Sequence, residues 1–314
     1  MRTGVSYMGH HNPRHIETDL LDIKSIGCDD VLLAAQENDF VYMTGKVDFF
    51  SRLCKEHGLR PLAIFWGVIN YFGGGKSSQF LLNYPKAHQV NRDGSYNSAG
   101  CYNNLEVLKY IRGLIDRIAE KGFEGYFIDE PSRIDCFCAS CVRIYRDMYS
   151  GDLFKASVEQ ETQFRKQCIV RYICLLTDYI KLTYPQMETI CCVMPCDKSV
   201  WEDVSRIDSL DNLGSDLYWV NNDTPVEEMI PVIQDMGKLC KSKNKKHHQW
   251  LQCWGVQKGQ EQRVGEQGKI LLNEDLNALY VWAYQGQVGI SESCDDPQAA
   301  WAQASQIIKQ AKNR

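Results

Sequence analysis

The chain has 314 residues, of which 44% are hydrophobic, 24% charged and 11% aromatic. This composition is typical of soluble globular proteins and excludes a disordered chain, collagen and a coiled coil. The net charge of -5 leaves no basic surface for phosphate groups, so we expect neither nucleic acid nor a membrane among the partners. The unusual number is the 14 cysteines.

The amino terminus bears on the state of these cysteines. Residues 1–13 contain one arginine and no apolar stretch of the kind found in secretory signals. No run elsewhere approaches the roughly 18 apolar residues of a membrane span. We therefore predict a cytoplasmic protein with reduced cysteines, in which a cysteine cluster is better explained by metal binding or catalysis than by disulfides.

Short apolar runs alternate with longer amphipathic stretches along the whole chain. Nearly continuous apolar character is typical of parallel strands that are buried on both faces. Eight such runs are predicted as strands: Gly4–Met8, Val31–Ala35, Pro61–Val68, Gly125–Asp129, Thr189–Met194, Gly214–Trp219, His248–Trp254 and Ala278–Tyr284.

The stretches between these runs have the periodicity of helices. In the first of them Ile16, Leu20 and Ile23 share one face, and Gly27 follows as a helix-ending residue. No linker or repeat divides the chain. Eight strand–helix units without a break predict a single (β/α)8 TIM barrel that spans residues 1–314 as one catalytic domain.

The ends of the predicted strands are rich in residues that bind sugars. In barrels of this kind the site lies where the strands end, and aromatic rings stack on sugar C–H faces while amides bind hydroxyls. Packing in the core is the alternative for Tyr218 and Trp219, and an ordinary loop position is the alternative for the histidines. The predicted substrate-binding residues are His10, His11, Asn70, Tyr218, Trp219, Trp254 and Trp282.

The fourth predicted strand ends in two adjacent carboxylates, Asp129 and Glu130. Partial burial at the barrel mouth would raise the pKa of Glu130 toward that of a general acid. The alternative is that one of the two caps a loop or pairs with Arg133.

A C-x-C-x-x-C motif follows directly, formed by Cys136, Cys138 and Cys141. Three thiolates at this spacing can bind one tetrahedral Zn²⁺ ion, and Cys101, in the long loop after the third strand, is the candidate fourth ligand. A zinc ion here would be structural rather than catalytic. Three thiols without metal are the alternative.

The stretch from Asn91 to Tyr145 resembles the family 42 glycoside hydrolases, which are mainly β-galactosidases. In that family an Asn-Glu pair ending strand four supplies the acid/base, and a following C-x-C-x-x-C binds zinc together with a cysteine from the loop after strand three. The resemblance implies that Glu130 is the acid/base, that Cys101, Cys136, Cys138 and Cys141 bind zinc, and that Trp282 is the aromatic residue ending strand eight.

The sequence departs from the family pattern at two places. Asp129 stands where the family has Asn, and the seventh strand carries Gln252 or its neighbours where the family has a nucleophilic Glu. A retaining enzyme needs a second carboxyl group about 5–5.5 Å from the acid, and an inverting one about 6.5–9.5 Å. Glu292, Asp216 and Glu261 are the substitutes that the sequence offers, with Glu292 and Asp216 preferred.

We therefore expect a glycosidase that acts on a small glycoside or oligosaccharide, with Glu130 as general acid and Glu292 or Asp216 as the second carboxylate. Asp129 would orient the substrate. One alternative is a catalytically silent sugar-binding barrel that has lost the strand-seven nucleophile. Another is a zinc-dependent barrel enzyme that uses the cysteine cluster in its chemistry.

Overall fold

The predicted barrel is confirmed by a computed structural model, which describes residues 1–69, 78–132, 134–219, 225–290 and 292–314. Eight parallel strands close on themselves in the order β1-β8-β7-β6-β5-β4-β3-β2. All eight predicted runs contain a strand. The strands are β1 (Arg2–Tyr7), β2 (Asp30–Gln36), β3 (Arg60–Trp66), β4 (Gly125–Ile128), β5 (Glu188–Val193), β6 (Asn212–Ser215), β7 (Lys246–Gln252) and β8 (Ala278–Trp282).

Helices surround the barrel and bury one face each against it. They are α1 (Pro13–Ser25), α2 (Glu37–Val41), α3 (Thr44–Glu56), α4 (Gln79–Asn83), α5 (Leu105–Glu120), α6 (Ala139–Tyr149), α7 (Val158–Thr183), α8 (Lys198–Ser205), α9 (Met229–Ser242), α10 (Gln262–Asn273) and α11 (Pro297–Lys312). A small antiparallel hairpin, His88–Val90 with Tyr96–Gly100, lies in the loop after β3. None of the described helices combines the length and apolar character that a membrane span requires.

The third, sixth, seventh and eighth predicted runs extend beyond the ends of their strands, and the errors in the third and sixth matter for the site. The third run was expected to reach Val68, but β3 ends at Trp66. The sixth run was expected to reach Trp219, but β6 ends at Ser215. In both cases apolar residues continue beyond the strand because the following loop is itself buried, and an apolar run does not mark where strand hydrogen bonding stops.

Ion pairs close the amino-terminal end of the barrel. Arg60 donates to the fully buried Asp30 at 2.8 Å and to Glu188 at 2.6 Å. Arg2 also pairs with Asp30, and Lys246 pairs with Glu188 at 2.9 Å. Asp30 and Glu188 are thus both neutralised by basic side chains, so these buried charges stabilise this end of the barrel. The carboxyl ends of the strands are left for chemistry.

Candidate active site

Three carboxyl groups gather at the carboxyl ends of β4 and β6. Asp129 and Glu130 follow β4 directly, and Asp216 is the first residue after β6. Asp129 and Asp216 are each only 5% exposed, whereas Glu130 is partly exposed. The Asp216 carboxyl group is hydrogen-bonded to Glu130. The structure therefore brings together three of the four predicted catalytic residues.

The surroundings of these groups favour their protonated forms. Burial, followed by the hydrogen bond to Glu130 and its charge, raises the pKa of Asp216 well above its usual range. Burial and the charge of Glu130 likewise raise the pKa of Asp129. Burial and a neighbouring negative charge both disfavour the ionised form of a carboxyl group, so the protonated form of Asp216 is favoured in the free site.

Two features set this pair apart from a simple structural contact. Glu130 has a φ of 37°, in the left-handed region that residues with a side chain rarely adopt. Asp216 Oδ1 is buried and has no hydrogen-bond partner among the described residues. Strained backbone and an unsatisfied buried oxygen are both destabilising, and both are commonly retained at functional sites.

Cys192, near the end of β5, lies among the three carboxyl groups. Burial raises the pKa of its thiol, and the nearby charges of Asp216, Asp129 and Glu130 raise it further. The thiol is therefore neutral and forms part of the cluster's wall.

Tryptophan side chains stand beside the carboxyl cluster. Trp66 lies close enough to Asp129 to offset part of the rise in the pKa of that carboxyl group. The Trp66 ring lies 5.2 Å from the Trp282 ring, which in turn lies 5.5 Å from Trp250 inside the barrel. Trp282 thus lies at the end of β8 and is only 3% exposed, and its contact with substrate stays a prediction. Trp66 was missed because the predicted third strand ran two residues too far.

The other predicted aromatic residues divide between the mouth and the core. Partly exposed Tyr218 meets Trp254 edge-on, with ring centroids 5.3 Å apart. Trp219 is fully buried and donates to Gln267 of α10 at 3.2 Å. The prediction that Trp219 lines the pocket is therefore corrected. Because β6 already ends at Ser215, Trp219 instead packs against α10, which was the alternative.

The end of β7 carries an amide where a nucleophile was sought. Gln252 is fully buried, and its side-chain amide donates to the Trp254 carbonyl at 3.1 Å. Glu261 accepts two hydrogen bonds from the Gly259 amide, so it stabilises a turn. Glu292 is exposed, and no described contact joins its carboxylate to Glu130 or Asp216. Of the proposed substitutes, Asp216 is the one that meets Glu130.

The predicted histidines lie apart from the carboxyl cluster. His10 is 3.5 Å from Asp19 of α1 and packs against His15. His11 is exposed, and no described contact ties it to the cluster. Asn70 and Arg133 lie outside the described residues.

The four predicted metal ligands do converge. The sulfur atoms of Cys101, Cys136, Cys138 and Cys141 all lie within 4.8 Å of one another, and all four residues are buried. Cys101 Sγ is 3.4 Å from Cys141 Sγ and 3.5 Å from Cys138 Sγ. A Zn²⁺ ion with Zn–S bonds of about 2.3 Å needs sulfur atoms about 3.8 Å apart, so this arrangement fits one tetrahedral ion.

Hydrogen-bond donors around the sulfur atoms suit thiolates. The Val90 amide donates to Cys136 Sγ at 3.4 Å, and Asn103 Nδ2 donates to Cys141 Sγ at 3.4 Å. The buried Arg165 guanidinium donates to the Cys136 carbonyl at 2.6 Å and supplies positive charge nearby. Contact with the Cys101 thiol lowers the pKa of Cys136 and Cys138, whereas the pKa values of Cys101 and Cys141 are raised within the same group. Such outer contacts orient and stabilise metal-bound sulfur.

The cysteine group also joins two loops of the mouth. Cys101 belongs to the loop after β3 and the other three to the loop after β4, and the Phe137 amide bonds to the Val90 carbonyl of the hairpin at 2.7 Å. Four buried sulfur ligands leave no open position for a substrate. The geometry therefore argues against the zinc-dependent chemistry considered as an alternative.

Comparison with known proteins supports the fold. No protein-family model and no curated protein matches the sequence. A β-galactosidase from the Antarctic haloarchaeon Halorubrum lacusprofundi has a similar structure, with a TM-score of 0.78 and 15% identity over 100% of this chain and 58% of that chain. A β-galactosidase from the psychrophilic Marinomonas ef1 gives 0.76 and 12%, over 99% of this chain and 60% of that one.

An endo-1,4-β-mannanase from Rhizomucor miehei gives a TM-score of 0.69 at 11% identity, over 100% of this chain and 95% of that chain. This chain thus spans less than two thirds of the length of the two β-galactosidases and nearly the whole mannanase. At these identities the similarity shows the barrel fold alone, which is the fold that the resemblance to family 42 implied.

Proposed function

We propose that this barrel hydrolyses glycosidic bonds of a small glycoside or oligosaccharide, with Glu130 and Asp216 as its two reacting carboxyl groups. The observation that carries the proposal is their hydrogen bond at the barrel mouth, beside the aromatic side chains Trp66, Trp282 and Tyr218. Similarity to barrels titled β-galactosidase and mannanase supports the reaction class but names no substrate for this chain.

The chemistry requires one protonated and one ionised carboxyl group. When the sugar enters, Asp216 passes its proton to Glu130, and Glu130 donates it to the glycosidic oxygen as the C–O bond breaks, which releases the leaving group as an alcohol. The Asp216 carboxylate stabilises the positive charge that develops at the anomeric carbon. Its carboxylate then either bonds to that carbon or takes a proton from the water that does so, and the products are a free sugar and an alcohol.

Substrate must separate the two groups for this to happen. Their hydrogen-bonded contact is closer than the 5–5.5 Å or 6.5–9.5 Å at which glycosidase carboxyl pairs act. The sugar therefore enters between them and takes the place of Asp216 as the hydrogen-bond partner of Glu130. Asp129, which lies beside Trp66, orients the sugar next to the reacting carbon.

The cysteine group is assigned a structural role in this proposal. Cys101, Cys136, Cys138 and Cys141 would hold one zinc ion, which when bound fixes the loops after β3 and β4 relative to each other. Since Glu130 precedes this loop by only a few residues, rigid cysteine packing helps to keep its carboxyl group in position.

Azide rescue tests the role of Asp216. We expect Asp216→Gly to lose most of its activity on aryl glycosides and to regain it when azide occupies the space left by the carboxylate, with a glycosyl azide as product. The anomeric configuration of the wild-type product can be followed by ¹H NMR. Retained configuration indicates direct attack by Asp216, and inverted configuration indicates that Asp216 activates water. Rescue of Glu292→Gly but not of Asp216→Gly would contradict the assignment.

One observation favours a second candidate, a sugar-binding barrel without catalysis. Gln252 lies at the end of β7, is fully buried, and donates a hydrogen bond to the Trp254 carbonyl just beyond the strand. An amide therefore stands where a carboxylate would act from that strand. Calorimetry distinguishes the two functions, since this candidate predicts sugar binding to the wild-type chain without any release of product over a day.

A further inference from the structure

A cavity separate from the carboxyl cluster opens at the carboxyl ends of β1 and β8. Its volume is about 300 Å³, at the lower end of the range for small-molecule sites. We call it the strand-one cavity. Among the residues that line it are Tyr7, His10, Asp19, Gln287, Val288 and Ile290.

Asp19 provides a fixed acceptor in the strand-one cavity. The Tyr7 hydroxyl donates to its carboxylate at 2.7 Å and the Tyr284 hydroxyl at 3.4 Å. His10 Nε2 lies 3.5 Å from the same carboxylate, and its side chain is 58% exposed while that of Asp19 is 16% exposed. An anchored carboxylate beside an accessible imidazole offers both an acceptor and a donor to a hydroxylated ligand.

Gln287 adds a second, independent sign of a ligand. It is 6% exposed, and its side-chain oxygen has no hydrogen-bond partner among the described residues. A buried oxygen of this kind costs about 1–3 kcal/mol unless a partner satisfies it. Gln285 and Gln287 also have φ angles of 48° and 63°, in the left-handed region, so the loop maintains a strained backbone at this point.

The strand-one cavity is connected to the carboxyl cluster through the tryptophans. Trp282 ends β8, and the next residue, Ala283, lines the cavity. The Trp282 ring lies 5.2 Å from the Trp66 ring, and Trp66 lies beside Asp129. Because β8 and β4 are opposite each other in the ring of eight strands, the cavity lies across the mouth from Glu130.

We propose that the strand-one cavity binds a second sugar residue of the substrate, so that the preferred substrates are oligosaccharides rather than simple glycosides. The carboxylate of Asp19 and the oxygen of Gln287 accept hydrogen bonds from sugar hydroxyls, and His10 donates one. Val288 and Ile290, 60% and 41% exposed, cover the apolar C–H face of the ring. This proposal rests on the proposed function and specifies its substrate class.

The test compares oligosaccharides with monoglycosides in the same variants. The probes are β-linked gluco-, galacto- and manno-oligosaccharides of two to five units, with the matching aryl monoglycosides. We expect the wild type to show a higher kcat/KM for three units than for the monoglycoside. Asp19→Asn and Gln287→Leu should each reduce that ratio by about tenfold, since each loses a hydrogen bond worth roughly 1.4 kcal/mol.

Glu17→Gln is the matched control, because it also removes a carboxylate from α1. Glu17 is half-exposed and pairs with His57, outside the cavity. This variant should leave the ratio unchanged. Equal losses on both substrate types, or no loss in Asp19→Asn and Gln287→Leu, would overturn the cavity assignment while leaving hydrolysis by Glu130 intact. Hydrolysis of no probe by the wild type would instead refute the proposed function. Calorimetry of oligosaccharide binding to the same variants would then test the cavity alone.

Discussion

Replacing Glu130 by glutamine is expected to lower kcat/KM for a glycoside with a poor leaving group by about 10²- to 10⁴-fold, the range found for a lost general acid. The amide keeps the size of the side chain but cannot donate the proton. A dinitrophenyl glycoside, whose leaving group needs no proton, should lose roughly tenfold or less. Steady-state kinetics with a series of aryl glycosides measures the difference.

The pH profile provides a further readout of the same variant. Burial and Glu130 raise the pKa of Asp216, so Asp216 keeps the proton that the reaction uses above the usual carboxyl range. Wild-type kcat/KM should therefore fall only as the pH rises through this raised pKa, and Glu130→Gln should lose that alkaline limb. Glu292→Gln is the control and should match the wild type. Loss of activity in Glu292→Gln, with an unchanged rate in Glu130→Gln, would reverse the assignment.

Replacing Cys138 by serine is expected to release the metal and loosen the mouth. Structural zinc sites contribute on the order of 10 kcal/mol of apparent binding free energy, and one weakened ligand removes most of that. We expect zinc content to fall from one ion per chain to about a tenth or less, with a Tm lower by roughly 10 °C. Plasma emission spectroscopy and calorimetry measure the two changes.

Hydrogen exchange should locate the effect of Cys138→Ser in the hairpin and in the loop after β4, because the cysteines join these segments. Cys174→Ser is the matched control, since that thiol lies on α7 and donates to Asp178 at 3.2 Å, as a serine could. Full zinc content and an unchanged Tm in Cys138→Ser would show that the four thiols do not hold a metal.

The fold could be predicted because its signal is local. Each buried strand is an apolar run, and each helix repeats apolar residues on one face, so eight units could be counted along the chain. The errors arose where an apolar run continued into a buried loop, as at Trp66 and Trp219. Strand residues and buried loop residues are both apolar, and only the backbone hydrogen-bonding pattern distinguishes a strand from a buried loop.

The site could be predicted in part, because strand ends converge in a barrel. Glu130, Asp129 and Cys101 were found from their positions after strands or from the family resemblance. The choice of Asp216 over Glu292 could not be made from the sequence, since 86 positions separate Asp216 from Glu130 and only the closed ring of strands brings them together. The strand-one cavity likewise depends on contacts between α1 and the loop after β8.

The most direct test of Glu130 and Asp216 as one acid–base pair is the double variant Glu130→Gln/Asp216→Asn. Groups that act as a unit show grossly non-additive effects, because removing either one already disables the step. Each single variant and the double variant should therefore show kcat/KM values within about tenfold of one another on the best oligosaccharide. A double variant whose loss equals the product of the two single losses would contradict the account, because the carboxyl groups would then act independently.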